Sequence, residues 1–159
     1  MNFKKLATKK IETDNFAPFG QLILPARDGK PYDEDDAQLN LKNGTPRFYI
    51  MRLQQRGRKF SQITRHRLCT QCLGSLDGQE WFIAVAPPCQ ADRPKIDNIV
   101  AFRIPGDCFI KLEAGTWHAG PYFDPEIVAF YNLELSNTNE IDRHTHDFLK
   151  SDELEFEIV

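Results

Sequence analysis

Short apolar segments, each about the length of a β-strand, constrain the fold of this chain more than any other feature. Gly, Pro and Asp interrupt the chain roughly every 8–15 residues, a spacing typical of β-sandwiches and β-barrels. No segment keeps the roughly 3.6-residue apolar period of a helix over helical length. The sequence therefore predicts an all-β (mainly) fold with minor helical turns. Strands are expected at 47–54, 80–87, 98–104, 108–113 and 126–135, shorter ones in FSQITRH, TQCLGS and SDELEFEIV, and a helical turn or two in NEIDRHTHDFLK.

Length and composition favour one compact unit. The 159 residues fit one domain of ordinary size, and 41% hydrophobic residues are enough to build a core. We expect residues 1–159 to form a single domain. Segment 25–46 breaks the pattern because it is rich in Asp, Gly, Pro, Lys and Asn. Such a long irregular stretch is unusual in a compact domain, so we predict a long loop or a lid there.

Charge and hydropathy argue against several classes of partner. The net charge is −3, which gives no electrostatic reason to expect nucleic acid as a partner. The opening MNFKKLATKK carries four lysines but is not followed by the apolar region of a signal peptide. No run approaches the roughly 20 apolar residues of a membrane span. We therefore expect a cytoplasmic protein with no membrane partner.

The cysteines are expected to be ordinary thiols. Cys69 and Cys72 form a C-x-x-C, the spacing of redox sites and zinc knuckles. No second C-x-x-C or H-x-x-x-H accompanies it, and the surrounding RHRLCTQCLG is typical of extended chain. We therefore favour reduced, partly buried thiols over a redox or zinc role.

Two segments place polar residues among strand-like apolar neighbours. The first runs from Thr64 through RHRLCTQ, and the second is CFIKLEAGTWHAGPYF, which contains His118. In a small barrel, inward-facing polar residues of different strands converge on one interior. A site for one small ligand needs a few such groups on apolar walls.

The first segment resembles the first of the two cupin motifs, H-x-H-x(3,4)-E-x(6)-G. Thr64 stands at the first His of that motif and His66 at the second. Gln71 lies near the Glu position, and Gly78 is at the Gly. The resemblance implies a cupin-type double-stranded β-helix, or jelly-roll barrel.

The second segment resembles the second cupin motif, G-x(5)-P-x-G-x(2)-H-x(3)-N. Gly115 and His118 match it, while Gly106 is one residue out of place. Glu113 replaces the Pro, and Tyr122 stands at the Asn.

A closer resemblance is to the ureidoglycolate lyase family. The segments R-H-x-L-x-T-Q, D-G-x-x-x-F-I-A-V-A-P and W-H-x-x-P are similar to its signatures, and the F-x-x-F-G opening and the N-G before Arg47 agree. The resemblance covers the chain from about Phe16 to near Leu135. It implies a homodimeric barrel enzyme of allantoin degradation, within purine catabolism, that cleaves ureidoglycolate to glyoxylate and urea. It also implies that a divalent metal can take part.

That reaction suggests a role for each candidate residue. Elimination from a hemiaminal needs a base for the hydroxyl proton and an acid for the departing nitrogen, and His66 and His118 suit these roles. Arg52 and Arg47 are candidates for binding the substrate carboxylate. Gln71 is a candidate for the ureido group, and Tyr122 is a further candidate for substrate binding.

Three alternatives stay open. Thr64 and Gln71 replace two cupin metal ligands, so a metal at His66, Gln71 and His118 is either weakly bound or replaced by metal-free acid–base chemistry. The protein is alternatively a non-catalytic or regulatory barrel that binds a small carboxylate. It is alternatively a metal-dependent cupin oxygenase or isomerase, for which Glu113 is the nearest additional carboxylate.

Other charged groups are expected at the surface. Arg56, Arg58 and Lys59 are predicted to form a solvated hairpin tip. The H-x-H of His144 and His146 is predicted to be a solvated terminal segment rather than a metal site. The C-terminal DELEFE is predicted to be an acidic sheet edge.

Overall fold

The structure is a computed structural model that describes residues 1–159. It contains three β-sheets, with a few short helical turns between strands. In chain order the elements are β1 (Asn2–Leu6), β2 (Thr8–Lys10), α1 (Thr13–Phe16), β3 (Gly20–Ile23), β4 (Pro46–Gln54), β5 (Lys59–Phe60), β6 (Gln62–Arg65), β7 (Gln71–Ser75), β8 (Gly78–Ala86), a 3-10 turn (Ile96–Asn98), β9 (Val100–Gly106), β10 (Phe109–Leu112), β11 (Trp117–Tyr122), β12 (Ile127–Leu135), α2 (Thr138–Ile141), β13 (His144–Asp147), α3 (Phe148–Asp152) and β14 (Leu154–Ile158).

Two of the sheets face each other and form the barrel. One has five strands in the order β3-β10-β7-β12-β4, and the other has six in the order β13-β6-β11-β8-β9-β2. Side chains alternate along each strand, so Trp81, Ile83 and Val85 of β8 point between the sheets. There Trp81 packs edge-on against Phe130 of β12, with ring centroids 5.3 Å apart. The predicted, mainly β, cupin-type barrel is confirmed.

The third sheet covers the outside of the six-stranded sheet. Its order is β1-β14-β5, and Phe156 of β14 packs against Phe60 and Phe148 with centroids 5.0 and 5.1 Å apart. The closing strand predicted in SDELEFEIV is therefore present, but the prediction that it forms a sheet edge was wrong. β14 is central because β1 pairs with it on one side and β5 on the other, and its apolar side chains are buried.

The region before β5 also differs from the prediction. β4 pairs with β12, whereas β5 pairs with β14, so the basic segment between them connects two sheets and is not the tip of a hairpin. Arg58 binds both oxygens of Asp124, and its guanidinium stacks on the ring of Phe82 at 3.8 Å.

Segment 25–46 forms neither helix nor strand before β4 begins at Pro46. It packs along β3, where the Gln21 amide donates to the backbone carbonyls of Glu34 and Asp36. The backbone N–H of Asn40 also donates to the Thr70 hydroxyl at 2.9 Å. None of the helices has the length and hydrophobicity that a membrane crossing requires.

Candidate active site

A cavity of about 450 Å³ opens between the two barrel sheets. Strands β4, β7 and β12 line it from one sheet, and β6 and β11 line it from the other. Its polar lining residues are Tyr49, Gln54, Arg56, Gln62, Thr64, His66, Gln71, His118, Tyr122, Asn132, Glu134, Asn139 and Arg143. The volume suits a small polar molecule, and polar groups converge on it from both sheets.

His66 is held at the cavity by two loops. Its Nδ1 donates to the backbone carbonyl of Asp142 at 2.6 Å, and its own carbonyl accepts from the N–H of Gly115 at 2.6 Å. Because a carbonyl oxygen can only accept, Nδ1 carries the proton. Nε2 is therefore the ring nitrogen that is left to accept a proton.

His118 reaches the same cavity from β11. β11 pairs with β6 so that His118 lies opposite Thr64, and its ring lies 5.1 Å from that of His66 between centroids. Burial lowers the pKa of His118 to about 3, and the charges of His66 and Arg143 act in the same direction. The His118 ring is therefore neutral near pH 7, so the pair carries at most one positive charge.

A chain of hydrogen bonds crosses the wall formed by β4, β7 and β12. The Gln71 amide donates to Asn132 Oδ1 at 2.8 Å, and the Asn132 amide donates to the Tyr49 hydroxyl at 3.4 Å. Tyr49 in turn donates to Glu134 Oε1 at 3.3 Å. Asn132 and Glu134 are buried, so this relay (Gln71, Asn132, Tyr49 and Glu134) is a fixed part of the wall.

The cations of the cavity are Arg143 and Arg56. Neither forms a salt bridge with a carboxylate of the chain. The Arg56 guanidinium lies 5.0 Å from the ring centroid of Tyr122. Burial raises the pKa of Tyr122 to about 12, so its hydroxyl stays protonated and can donate a hydrogen bond at neutral pH. These groups can bind an anion.

The sequence matches the family profile described as ureidoglycolate lyase over residues 3–145. The match covers both histidine-bearing segments and every strand up to β12. The chain belongs to the ureidoglycolate lyase family. This family consists of carbon–nitrogen lyases, so the predicted enzyme class is confirmed.

Other comparisons add little to the family assignment. No curated protein sequence matches the chain significantly. Among solved structures, the chain is similar to a crystal structure of a dTDP sugar isomerase from Desulfovibrio desulfuricans G20, with a TM-score of 0.49 and 13% sequence identity. That comparison covers 82% of this chain and 85% of the other.

The structure brings four of the predicted site residues to the cavity, and two lie elsewhere. His66, His118, Gln71 and Tyr122 line it. Arg52 lies on the outer face of β4, because inward positions alternate and are occupied by Tyr49, Met51 and Leu53. Arg47 has the same strand parity as Tyr49 but is not a lining residue: it is exposed near the start of β4, with its guanidinium 3.7 Å from the ring centroid of Tyr49. Segment 25–46 contributes no residue to the lining.

Sequence reasoning missed the residues that face the histidine pair. Arg143 follows α2 and Arg56 precedes β5; both are exposed, as the polar composition predicted, but both also line the cavity. Glu134 and Asn132 lie in β12, a segment that the sequence identified clearly as a strand but not as part of a site. Their inward parity in that strand, shared with Phe130 and Val128, is the signal that could have found them.

The donors at the histidine pair do not fit a tightly held metal ion. No group of three or more His, Cys, Asp or Glu side chains lies close enough together to hold one. Gln71, the third metal ligand that the sequence suggested, offers only a neutral amide oxygen, which is a weak transition-metal ligand. Acid–base chemistry in this cavity therefore relies on the side chains of the chain itself.

The remaining histidines and cysteines lie outside the cavity lining. His144 accepts from Arg65 Nε at 3.0 Å and packs on Trp117, and His146 packs on Phe148 with centroids 4.6 Å apart. His144 and His146 are thus half-buried members of β13, and the prediction that they form a solvated segment was wrong. All four cysteines are free thiols, and burial raises the pKa of Cys72 to about 11.

Proposed function

We propose that the cavity cleaves ureidoglycolate to glyoxylate and urea. The observation that carries this proposal is the His66–His118 pair, which faces two unpaired arginines and a buried amide across one small cavity. The family assignment supplies the reaction class, and the side chains present match what the substrate offers: one carboxylate, one hydroxyl and one ureido group.

The reaction moves one proton within the substrate. The O–H bond of the hemiaminal breaks, the carbonyl of glyoxylate forms, and the C–N bond breaks with its electron pair on the urea nitrogen, which takes up a proton. A histidine pair that carries at most one positive charge suits this transfer. His66 accepts the hydroxyl proton at Nε2, and the pair returns it to the departing nitrogen. Neutral His118 keeps a second charge out of the site.

The substrate carboxylate binds the arginines. Arg143 and Arg56 present guanidinium groups with no internal partner, and charge-assisted hydrogen bonds to a carboxylate are the strong ones. Arg52 and Arg47, which the sequence suggested for this role, are replaced in the proposal by Arg143 and Arg56. Tyr122 donates its hydroxyl to the substrate beside Arg56, and Gln71 contacts the ureido group.

We extend the proposal to assembly and cellular context. The protein works as a homodimer in the cytoplasm, in the allantoin-degrading branch of purine catabolism. Support for the dimer comes from the outer face of β4, an edge strand on which Phe48 and Ile50 are 70% and 64% exposed. An edge strand with large exposed apolar side chains is typical of a surface that pairs with another chain.

Glyoxylate release from ureidoglycolate tests the proposal. We expect turnover by the unmodified protein and a loss of roughly 10²–10⁴-fold in kcat for His66→Ala and for His118→Ala, the range for general acid–base groups. His146→Ala is the matched control, because His146 lies outside the cavity lining. Turnover that survives in both cavity variants would remove the histidine pair from the mechanism.

A further inference from the structure

We infer that Glu134 orients the Gln71 relay so that the cavity selects a ligand that donates an N–H, and so recognises the terminal NH₂ of the ureido group. The inference deepens the proposed function and rests on it for the identity of the substrate. It assigns Glu134, Asn132 and Tyr49 as positioning residues that set specificity through Gln71. The sequence pointed only to Gln71 among these four.

The direction of the relay follows from its last member. The Tyr49 hydroxyl donates to the carboxylate oxygen Oε1 of Glu134 at 3.3 Å. The Tyr49 oxygen is then left to accept from the Asn132 amide. Asn132 must in turn present its oxygen to Gln71, which donates its NH₂. Each amide is thus held in one of its two possible orientations.

The first member of the relay is left with an unused acceptor. Gln71 Oε1 is buried and has no hydrogen-bond partner within the chain. A buried polar atom without a partner is unfavourable, and this one belongs to a residue that lines the cavity. It is therefore set to accept a hydrogen bond from a ligand, and it would repel a carboxylate or carbonyl oxygen in the same place.

This polarity defines how the substrate lies. Ureidoglycolate has a carboxylate at one end and an NH₂ at the other, and the cavity offers cations for the first and an orphan acceptor for the second. With Arg143 and Arg56 on the carboxylate and Gln71 on the NH₂, the hemiaminal carbon is left for the histidine pair. A carboxylate that lacks the terminal NH₂ leaves Gln71 Oε1 unpaired and should bind more weakly.

The test compares two inert ligands that differ only at that end. N-carbamoylglycine carries the terminal NH₂, and N-acetylglycine carries a methyl group in its place. Calorimetric titration of the unmodified protein should show tighter binding of N-carbamoylglycine by on the order of 10-fold, the effect of leaving one buried acceptor unpaired. Tyr49→Phe and Glu134→Gln should reduce this affinity ratio to about threefold or less. Either change removes the constraint on the side-chain amides of Asn132 and Gln71, which can then rotate and exchange the positions of O and NH₂.

Two variants guard against a trivial loss of binding. Tyr49→Phe keeps the packing of the ring, so the ratio can be measured even if Glu134→Gln fails to fold. Because the readout is a ratio, a general loss of affinity does not change it. The inference is overturned if N-carbamoylglycine does not bind, if the unmodified protein shows no preference, or if the preference persists in Tyr49→Phe. Glyoxylate release is measured separately, so a protein that selects N-carbamoylglycine but cleaves nothing would contradict the proposed function alone.

Discussion

At the scale of single residues, His118 carries a measurable cost in stability. A neutral imidazole is held beside His66 in a place where burial lowers its pKa to about 3, from an ordinary value of 6.5. The unfolded chain binds a proton at His118 below about pH 6.5, whereas the folded chain does so only near pH 3. Between about pH 3 and pH 6.5, unfolding is therefore accompanied by uptake of a proton at His118. The free energy of unfolding rises with pH across this range and falls as the solution is acidified.

We therefore predict that His118→Gln flattens the acid dependence of stability. The free energy of unfolding of the unmodified protein should fall more steeply from pH 6.5 to pH 4, by at most about 1.4 kcal/mol per pH unit more than in the variant. Urea denaturation at a series of pH values measures this difference. His144 and His146 also have lowered pKa values, but they are common to both proteins and cancel. Parallel curves would contradict the burial argument.

A second residue-scale prediction concerns the arginines. Arg143→Gln should raise KM for ureidoglycolate roughly 10- to 100-fold, because a charge-assisted contact with the carboxylate is lost. Arg52→Gln is the matched control, since Arg52 lies on the outer face of β4. Steady-state kinetics of both variants measure the contrast. If Arg52→Gln has the larger effect, the carboxylate does not bind where we place it.

At the scale of elements, one aspartate joins the segment after α2 to the loop that carries His66. Asp142 accepts from the backbone N–H groups of Arg67 and Leu68, both at 2.8 Å. Its carbonyl accepts from His66. These contacts span more than 70 residues of sequence and hold the catalytic candidate in place.

We predict that Asp142→Asn loosens this loop. The amide NH₂ would face a backbone N–H in place of an acceptor, which should cost about 1–3 kcal/mol of stability. It should also lower kcat, because the His66 ring loses its orientation. Urea denaturation and turnover are both needed. A variant with unchanged kcat would show that His66 does not depend on Asp142 for its position.

Some of the strands could be predicted from the sequence, and others could not. β8 and β12 were predictable because each is rich in β-branched, aromatic and other apolar residues over nine positions. β1 and β2 were not, because they are polar and pair in parallel with the distant β14 and β9. The inward face of β4 was also ambiguous, since Phe48 and Ile50 point outward. That ambiguity is why Arg52 was considered for the site. The position of Arg143 at the cavity could not be predicted, because it depends on long-range contacts that no local sequence pattern reveals.

At the scale of the whole molecule, the outer face of β4 should hold two copies together. We predict a dimer by light scattering coupled to gel filtration, and a monomer for the double variant Phe48→Lys and Ile50→Lys, because two buried charges oppose pairing. Tyr32→Lys is the control, as Tyr32 is 75% exposed in segment 25–46. A double variant that remains dimeric would place the interface elsewhere.

The most direct test of the central claim is the rate of glyoxylate release from ureidoglycolate by chelator-treated protein. His66 and His118 perform the proposed proton transfer without a metal ion. We therefore predict that turnover persists in chelator at a rate within about twofold of the untreated protein, well short of the roughly 10²–10⁴-fold loss expected when an acid–base group is removed. Loss of turnover that added divalent metal restores would contradict the metal-free mechanism. The absence of glyoxylate under every condition would contradict the assignment of ureidoglycolate itself.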